Sequence, residues 1–415
     1  MSTKRRTARI WQPKPAPSMA GRPAVHIELL IAQLVETLQV AVIYGGNKSV
    51  PGAVIRQSQN PRSWKSYESV ARDLAASLTR IGFRDVPVIA DDMNLMQQLK
   101  QHRVAMGWLN SGGVQGRSAI SHAPAMLEMF GIPYIGHDPL TAGLLDSKHH
   151  FKRQLQALGV ATAPFFVWHP EESRHTPFSE RRLKALFAKW PNGFVVKPVT
   201  GRASLHVHYV ERASDLPEVI QQVYDATQNS VLVEGYLPGR EYCIAVCGPT
   251  IARSGKIRQL TGPFAFSAVE RKLAKNERIF TSMDVKPITA SRTRPLSAAT
   301  DGDVIEQLEA IARQVYVGTP LQSLVRLDVR ADERGQLYVL EANPKPDLAA
   351  PSSKSTSLIC AGLANYGMTY DDLVLSIMAD RLAALFDERP HSVEQFFRSF
   401  QYPRAVRYSN MGSRP

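Results

Sequence analysis

The segment from Val325 to Pro346 carries four side chains whose types and spacing suit metal and phosphate chemistry. Two apolar runs, SLVRLDVR and QLYVLEAN, are typical of strands, and the Asp-Glu-Arg-Gly between them is typical of a hairpin turn. Side chains alternate along a strand, so Arg326 shares a face with Asp328, and Glu341 shares one with Asn343. Carboxylate and amide oxygens suit Mg²⁺, and a guanidinium suits a phosphate. The pattern predicts a metal–phosphate site, although two edge strands with a solvated polar face would produce it equally well.

Two lysines and two glutamates upstream extend this chemistry. Lys148 lies on a predicted helix, and Lys197 ends the apolar strand FVVKP, where an ammonium without a partner would be costly to bury. A phosphate is a natural partner, and a sheet-edge lysine reaching water is the alternative. The loop from Thr200 to Ser204 could cover phosphates with its backbone amides. Glu234 and Glu241 flank a Pro-Gly turn and suit an exocyclic amine and ribose hydroxyls, although surface charge explains them as well.

The composition indicates a globular protein with several domains. A chain of 415 residues is too long for one core, and its 44% hydrophobic and 21% charged residues exclude a disordered or fibrous class. No apolar run reaches the roughly 20 residues of a membrane span. The basic N-terminus lacks the apolar stretch of a secretory signal, and the three cysteines suggest no disulfide framework. These features predict a protein of the reducing cytoplasm.

The net charge of +13 raises nucleic acid as an alternative partner. Much of the excess lies near the two ends of the chain, and no helix-turn-helix, RRM or zinc-finger pattern is present. We therefore expect an anionic nucleotide as the ligand, and no nucleic acid.

The elements that must position these residues are strands alternating with helices. From Val40 to Gly136 the alternation predicts a parallel sheet with ligands at its carboxyl ends, near Gly45–Gly46 and Asn110–Gly116. A helix at 26–39 precedes it. The predicted units are a flexible basic arm (1–24), an N-terminal α/β domain with that extra helix (25–146), a central domain (147–241), a C-terminal domain (242–386) and a basic extension (387–415).

In chain order, the stretches GIPYIGHDPLTAGLLDSKHHFKRQLQALGVATAPFFVW, FVVKP, VLVEGYLPGREYCIAVCG and RLDV…VLEAN…P resemble the D-alanine–D-alanine ligase branch of the ATP-grasp enzymes. The resemblance covers residues 40–386 and is fainter in the first hundred. It implies an α/β ATP-grasp fold of three domains, the first preATP-grasp-like, with ATP between the sheets of the other two. It also implies an ADP-forming carboxylate–amine ligase that uses ATP and two Mg²⁺ ions, for which Mn²⁺ can substitute.

The resemblance assigns roles residue by residue. The nucleotide-binding residues are Lys148, Lys197, Glu234, Tyr236, Leu237 and Glu241. The lysines contact the phosphates, the first glutamate meets the adenine amino group, the Tyr-Leu pair forms the hinge beside the base, and the second glutamate meets the ribose. The metal ligands are Asp328, Glu341 and Asn343, and the catalytic residues are Arg326, Lys272 and Ser204.

The departures from that family concern the substrate. Pro346-Asp347 replaces a Pro-Gly that receives the acceptor carboxylate, Asn110 replaces a histidine, and NKSVPGAVIRQ lacks a glutamate that holds the first amino group. The expected substrate residues are Asn110, Lys345, Asp347 and Ser357. We therefore predict ligation of a small-molecule carboxylate to an amine other than D-alanyl-D-alanine synthesis. The alternatives are a D-alanine–D-alanine ligase proper and a non-catalytic ATP-binding regulator. The helix from Ile27 to Leu38 and the C-terminal extension are the predicted contacts of a homodimer.

Overall fold

A computed structural model of the chain describes residues 27–46, 51, 67–170, 187, 190, 192–201, 204–275, 277–280, 289, 291–352 and 357–388. Within these residues the strands form three larger sheets and a separate two-stranded hairpin. The predicted basic arm and the extension from residue 389 onward lie outside the described part.

The first sheet is parallel and covered by helices on both faces, as the sequence predicts. Its strands, in the order β2-β1-β3-β4, are β1 (Val40–Tyr44), β2 (Val88–Ala90), β3 (Met106–Asn110) and β4 (Tyr134–Ile135). Its helices are α1 (Ile27–Leu34), α2 (Glu68–Ile81), α3 (Leu95–Gln101) and α4 (His122–Met129). Val40 and Val42 pack with α1 and α2, whereas Ala41 and Ile43 pack with α3 and α4. Burial on both faces explains why β1 is apolar throughout.

Two helices, α5 (Pro139–Asp146) and α6 (Lys148–Ala157), lead into the rest of the chain. The sequence predicts α6 but not α5. The Asp138 carboxylate caps α5 by accepting the amides of Leu140 and Thr141 at 2.9 and 3.0 Å, and Pro139 occupies the first turn. That cap is visible in the sequence, but Gly143 inside the helix argues against it.

The central sheet is antiparallel, in the order β5-β8-β6-β7. Its strands are β5 (Phe165–Trp168), β6 (Phe194–Pro198), β7 (His208–Val210) and β8 (Val231–Gly235). Helix α7 (Leu216–Thr227) packs Leu216, Ile220 and Val223 against one face. The opposite face, which carries Lys197 and Glu234, is therefore left for the cleft described below.

The third sheet follows the order β13-β12-β9-β14-β15 and is antiparallel. Its strands are β9 (Glu241–Cys247), β12 (Phe264–Arg271), β13 (Thr293–Pro295), β14 (Val325–Ala331) and β15 (Leu337–Asn343), and the separate hairpin is β10 (Thr250–Arg253) with β11 (Lys256–Gln259). The sequence predicts β9, β14 and β15 and misses the four strands from β10 to β13. Helix α8 (Ala298–Gly318) covers the sheet, and Phe151 and Leu155 of α6 enter the same core. Helix α6 is thereby fixed beside the strands of the metal–phosphate hairpin.

Helix α9 (Tyr370–Glu388) follows a short 3₁₀ segment at Cys360–Tyr366 and packs across two units. Its Leu373, Ile377 and Met378 share a core with Leu74 and Leu78 of α2. Among the described helices, none combines the length and apolarity that a bilayer span requires. All three cysteines of the chain are buried and free, as the sequence predicts.

Candidate active site

The hairpin of β14 and β15 forms with the register that brings its polar side chains together. Arg326 lies opposite Asn343, and Asp328 lies opposite Glu341. The register shifts directly after Asp328, which marks a β-bulge. A bulge bends the strand and increases its twist at that point. The predicted common face of these four side chains is confirmed, while their roles stay predictions.

Asp328 lies between two guanidinium groups. The Nε and Nη2 atoms of Arg326 donate to its carboxylate at 2.8 and 3.0 Å, and Nη1 of Arg271 donates at 3.1 Å. Burial would raise the pKa of Asp328, but the charges of Arg271 and Arg326 outweigh burial and hold that pKa below its usual range. The carboxylate is therefore ionised at neutral pH and can serve as a cation ligand.

Glu241 stands at the start of the middle strand β9, with an arginine opposite it on either side. Arg271 of β12 and Arg330 of β14 are its two strand neighbours. Their guanidinium nitrogens lie 2.7 and 3.2 Å from its two carboxylate oxygens. Neither arginine was predicted from the sequence as a site residue. For Arg330 a signal existed, because it continues the alternation of Arg326 and Asp328 along one strand face.

A second charged group lies across the cleft on the central sheet. The Glu234 carboxylate is paired with Lys197 of β6 and with Lys152 of α6, whose Nζ lies 2.7 Å away. Burial alone would raise the pKa of Glu234, but Lys152 and Lys197 lower it to about 2. Burial would likewise lower the pKa of Lys197, but Glu234 and Glu341 raise it. Lys152 was missed by the sequence analysis, although it lies one helical turn after Lys148 on the same face.

Lys148 connects the two sheets. Its ammonium lies 3.2 Å from Glu341 of β15 and donates to the carbonyl of Gly201 at 2.9 Å. The cleft between the sheets is open to solvent, and the empty space in and above it amounts to about 740 Å³. Nine of the predicted site residues line it: Lys148, Lys197, Ser204, Glu234, Tyr236, Leu237, Glu241, Asp328 and Glu341. Arg271, Arg330 and Phe280 line it as well.

Of the two predicted catalytic residues that lie outside the strands, Ser204 lines the cleft and Lys272 does not. Ser204 lines the cleft, has a left-handed backbone (φ 54°), and donates its hydroxyl to the Phe280 carbonyl at 2.9 Å. Lys272 is exposed and is not among the cleft residues, whereas its neighbour Arg271 is. Lys272 directly follows the last residue of β12. The role of Lys272 stays a prediction.

The predicted substrate residues separate into two groups. Asn110, buried at the end of β3, donates to the Tyr67 carbonyl at 3.2 Å, and the Lys345 ammonium lies 3.2 Å from the centre of the Tyr67 ring. These two residues therefore meet where the first sheet faces the end of β15. Asp347 accepts the Ala349 amide at 3.0 Å, and Ser357 accepts the Cys360 amide at 3.1 Å, so both shape local turns. The predicted loop NKSVPGAVIRQ, apart from one residue, lies outside the described residues.

Comparison with known proteins identifies the family. Residues 154–379 match the model of the D-ala D-ala ligase C-terminus. The chain belongs to this D-Ala-D-Ala ligase family. The segment it matches includes β6, β8, the hinge and the whole of the β14–β15 hairpin.

Two solved structures share the fold of this chain, and one curated relative is similar to it in sequence. The D-alanine–D-alanine ligase of Bacillus anthracis, in a crystal structure with ATP, is 18% identical, superposes with a TM-score of 0.61, and covers 85% of this chain and 99% of its own. The VanG D-Ala:D-Ser ligase of Enterococcus faecalis is 15% identical, with a TM-score of 0.59 and coverage of 83% and 99%. The uncharacterized protein y4sG of Sinorhizobium fredii (strain NBRC 101917 / NGR234) is 28% identical over 251 residues, 60% of this chain and 68% of the relative. The ATP-grasp fold expected from the sequence is confirmed, and family and fold are those of an ATP-dependent ligase.

Proposed function

We propose that the protein is an ATP- and Mg²⁺-dependent ligase that joins a small-molecule carboxylate to an amine through an acyl phosphate. The observation that carries the proposal is the cleft with opposed charges on its two walls. Lys148 and Lys197 supply cations, and Asp328 and Glu341 supply oxygen donors from the neighbouring sheet. A triphosphate with a divalent cation satisfies both sets at once.

The walls suggest how ATP lies in the cleft. Glu234, Tyr236 and Leu237 lie at the end of β8 and suit the adenine ring, and Glu241 begins the next strand and suits the ribose. The phosphates then extend toward Lys148 and Lys197. In this arrangement the transferred phosphate reaches the β14–β15 hairpin, where Arg326 can stabilise its developing charge.

The residues of the hairpin fit Mg²⁺. Asp328 and Glu341 are direct cross-strand neighbours, and Asn343, opposite Arg326 on the same face, adds an amide oxygen. No group of three or more histidine, cysteine, aspartate or glutamate residues suited to a metal occurs in the described part of the chain. Mg²⁺ is commonly held by one or two carboxylates plus substrate phosphates, so this donor set is sufficient. When bound, the ion would neutralise phosphate charge and orient the γ-phosphate.

The residues of the chain then act in two steps. In the first, an oxygen of the substrate carboxylate attacks the γ-phosphorus, the bond to ADP breaks, and Lys148, Lys197 and Arg326 hold the phosphate oxygens. In the second, the amine nitrogen attacks the acyl carbon, phosphate leaves with the bonding electrons, and the amine loses a proton. Closure of the cleft excludes water that would otherwise hydrolyse the activated acid.

The acceptor end supports a substrate pair other than two D-alanines. The ammonium of Lys345, which is buried, and the carboxylate of Asp347 follow Asn343 within four residues. Tyr67, at the start of α2, contacts both Lys345 and Asn110 of β3. An aspartate beside an acceptor carboxylate would repel it, whereas Lys345 would attract it. We therefore propose Lys345 as the cation of the acceptor site. A homodimer and a cytoplasmic location remain predictions that light scattering and cell fractionation can check.

An ADP-release screen tests the function. Purified protein is mixed with MgATP and pairs of amino acids and other carboxylates, and the products are identified by mass spectrometry. We expect amide formation with at least one pair, and loss of ADP release in Asn343→Ala but not in the surface control Asn192→Ala. Absence of nucleotide-dependent product for every pair would refute the ligase. A rate with D-alanine alone that rivals every other pair would refute only the substrate proposal.

A further inference from the structure

Arg330 is a buried cation that lines the nucleotide end of the cleft. Its side chain is 4% exposed and follows Arg326 and Asp328 on the same face of β14. Its guanidinium donates to the Glu241 carboxylate (3.2 Å), the Tyr236 hydroxyl (2.9 Å), and the carbonyls of Arg278 (3.0 Å) and Gly239 (3.3 Å). One side chain thus joins the hinge, the start of β9 and the loop after β12.

The contacts with Glu241 determine how that carboxylate is oriented. One oxygen faces Arg271 at 2.7 Å and the other faces Arg330 at 3.2 Å. An ionised carboxylate has about four acceptor sites, so two remain for a ligand's hydroxyl groups. Because the two arginines bind the carboxylate from the strands on either side, the two acceptor sites that remain on Glu241 have a fixed direction. Without Arg330, only Arg271 would bind the Glu241 carboxylate, and the second oxygen would no longer be held in place.

The contacts with Tyr236 orient the hinge. The guanidinium carbon lies 4.8 Å from the centre of the Tyr236 ring while a terminal nitrogen binds its hydroxyl. The opposite neighbour of that ring is Tyr209, in an edge-to-face contact at 4.8 Å. The planar guanidinium of arginine can contact an aromatic ring and donate to a carboxylate at the same time, whereas the ammonium of lysine lacks this geometry.

We propose that Arg330 is a nucleotide-positioning residue, which holds Glu241 and Tyr236 in the orientation that recognises the ribose hydroxyls and base of ATP. The proposal rests on the proposed function and adds to it the residue that determines discrimination at the ribose. An apolar side chain would fill the same position without a buried charge, so the charge must serve the groups that it contacts.

Calorimetry with MgATP and Mg-2′-deoxyATP on the full-length protein tests the proposal. The variants are Arg330→Met, Arg330→Lys and Tyr236→Phe. The matched control is Arg240→Met, because Arg240 also pairs with a carboxylate, Glu270, and stacks on a tyrosine ring, but is half-exposed outside the cleft.

For the wild type we expect a preference for ATP over 2′-deoxyATP of about tenfold, the value of one charge-assisted hydrogen bond. In Arg330→Met the Kd for MgATP should rise about tenfold and the preference should fall toward one, with an intermediate value for Arg330→Lys. Once the screen above supplies a substrate pair, KM for ATP should rise more than kcat falls.

Three results overturn the inference. The first is an unchanged ATP preference in Arg330→Met, and the second is an equal loss in the Arg240→Met control. The third applies if Arg330→Met does not fold: the preference for ATP over 2′-deoxyATP is then unchanged in both Arg330→Lys and Tyr236→Phe. Each of these leaves the ligase proposal standing. Wild-type protein that binds neither nucleotide would instead overturn the proposed function and the inference together.

Discussion

The buried triad of Lys152, Glu234 and Lys197 makes a quantitative prediction about charge balance. Its two ammonium groups share one carboxylate, so the triad carries a net charge of +1 when both lysines are protonated. Burial opposes that charge and lowers the pKa of Lys152. Lys152→Met would leave a neutral pair. Glu234→Gln would leave two buried ammonium groups side by side, with a charge of +2. We therefore expect the loss of the single carboxylate to destabilise the central sheet more than the loss of one lysine.

The magnitudes follow from the contacts. Removing one partner of a buried ion pair costs about 3–5 kcal/mol. This applies to Glu234→Gln because Glu341, the other carboxylate that acts on the two lysines, is already paired with Lys148. In Lys152→Met, the Glu234 carboxylate keeps its pairing with Lys197. The Thr162 hydroxyl loses the hydrogen bond from the Lys152 ammonium (2.7 Å) but still donates to the Val339 carbonyl (2.8 Å). Methionine replaces the aliphatic stem, so we expect a cost of about 1–3 kcal/mol.

Hydrogen exchange of the peptides that contain β6 and β8 measures how much each variant destabilises the central sheet. Each 1.4 kcal/mol lowers protection about tenfold, so Glu234→Gln should lose roughly two to three decades and Lys152→Met about one or two. The double variant Lys152→Met/Glu234→Gln should be more protected than Glu234→Gln alone, because it removes one of the two positive charges that repel each other. Protection in Glu234→Gln equal to that in Lys152→Met would refute the charge-balance reasoning.

The pH dependence gives an independent check on the same carboxylate. The pKa of Glu234 is lowered from 4.5 to about 2, so the folded state binds the proton more weakly than the unfolded state. Its contribution to stability is therefore present above pH 4.5 and is lost as pH falls toward 2. The stability difference between wild type and Glu234→Gln should be constant from pH 7 to 5 and should shrink below 4.5. A difference that already shrinks between pH 7 and 5 would contradict this assignment.

Three further predictions concern the hairpin, the metal and the first sheet. Asp328→Asn should lower ADP release about a thousandfold, because it removes a metal ligand and the anion shared by Arg271 and Arg326; more than a tenth of wild-type activity would contradict this. Chelation with EDTA should abolish ADP release and added Mg²⁺ or Mn²⁺ should restore it, whereas activity that survives chelation would exclude the metal. Burial raises the pKa of Asp91 from 3.8 to about 6, so its ionisation costs stability increasingly as pH rises from 4 through 6. Asp91→Asn, which keeps an acceptor for the Ser111 hydroxyl, should stabilise the protein by up to about 3 kcal/mol at pH 7.5 and little at pH 4 in urea unfolding; an equal effect at both pH values would contradict it.

Local patterns were sufficient for much of the fold and for the hairpin. The register of Arg326 with Asn343 and of Asp328 with Glu341 follows from a two-residue period and a short turn, both of which are properties of contiguous sequence. The parallel first sheet followed from the alternation of strands and helices in the same way. The predictions failed for α5 and for β10 to β13, where a glycine in a helix and short or polar strands weaken the local pattern.

The sequence by itself therefore predicted which face of the hairpin carries its oxygen donors and, through the family resemblance, which lysines and glutamates line the cleft. The roles of these residues stay predictions. Only the tertiary structure decided which cations these carboxylates meet. Lys152 reaches Glu234 from a helix 82 residues away in sequence, and Arg271 and Arg330 converge on Glu241 from the strands on either side. A buried charge is stabilised by whichever opposite charge packing brings within about 4 Å, and that neighbour is set by strand order and helix docking rather than by spacing along the chain.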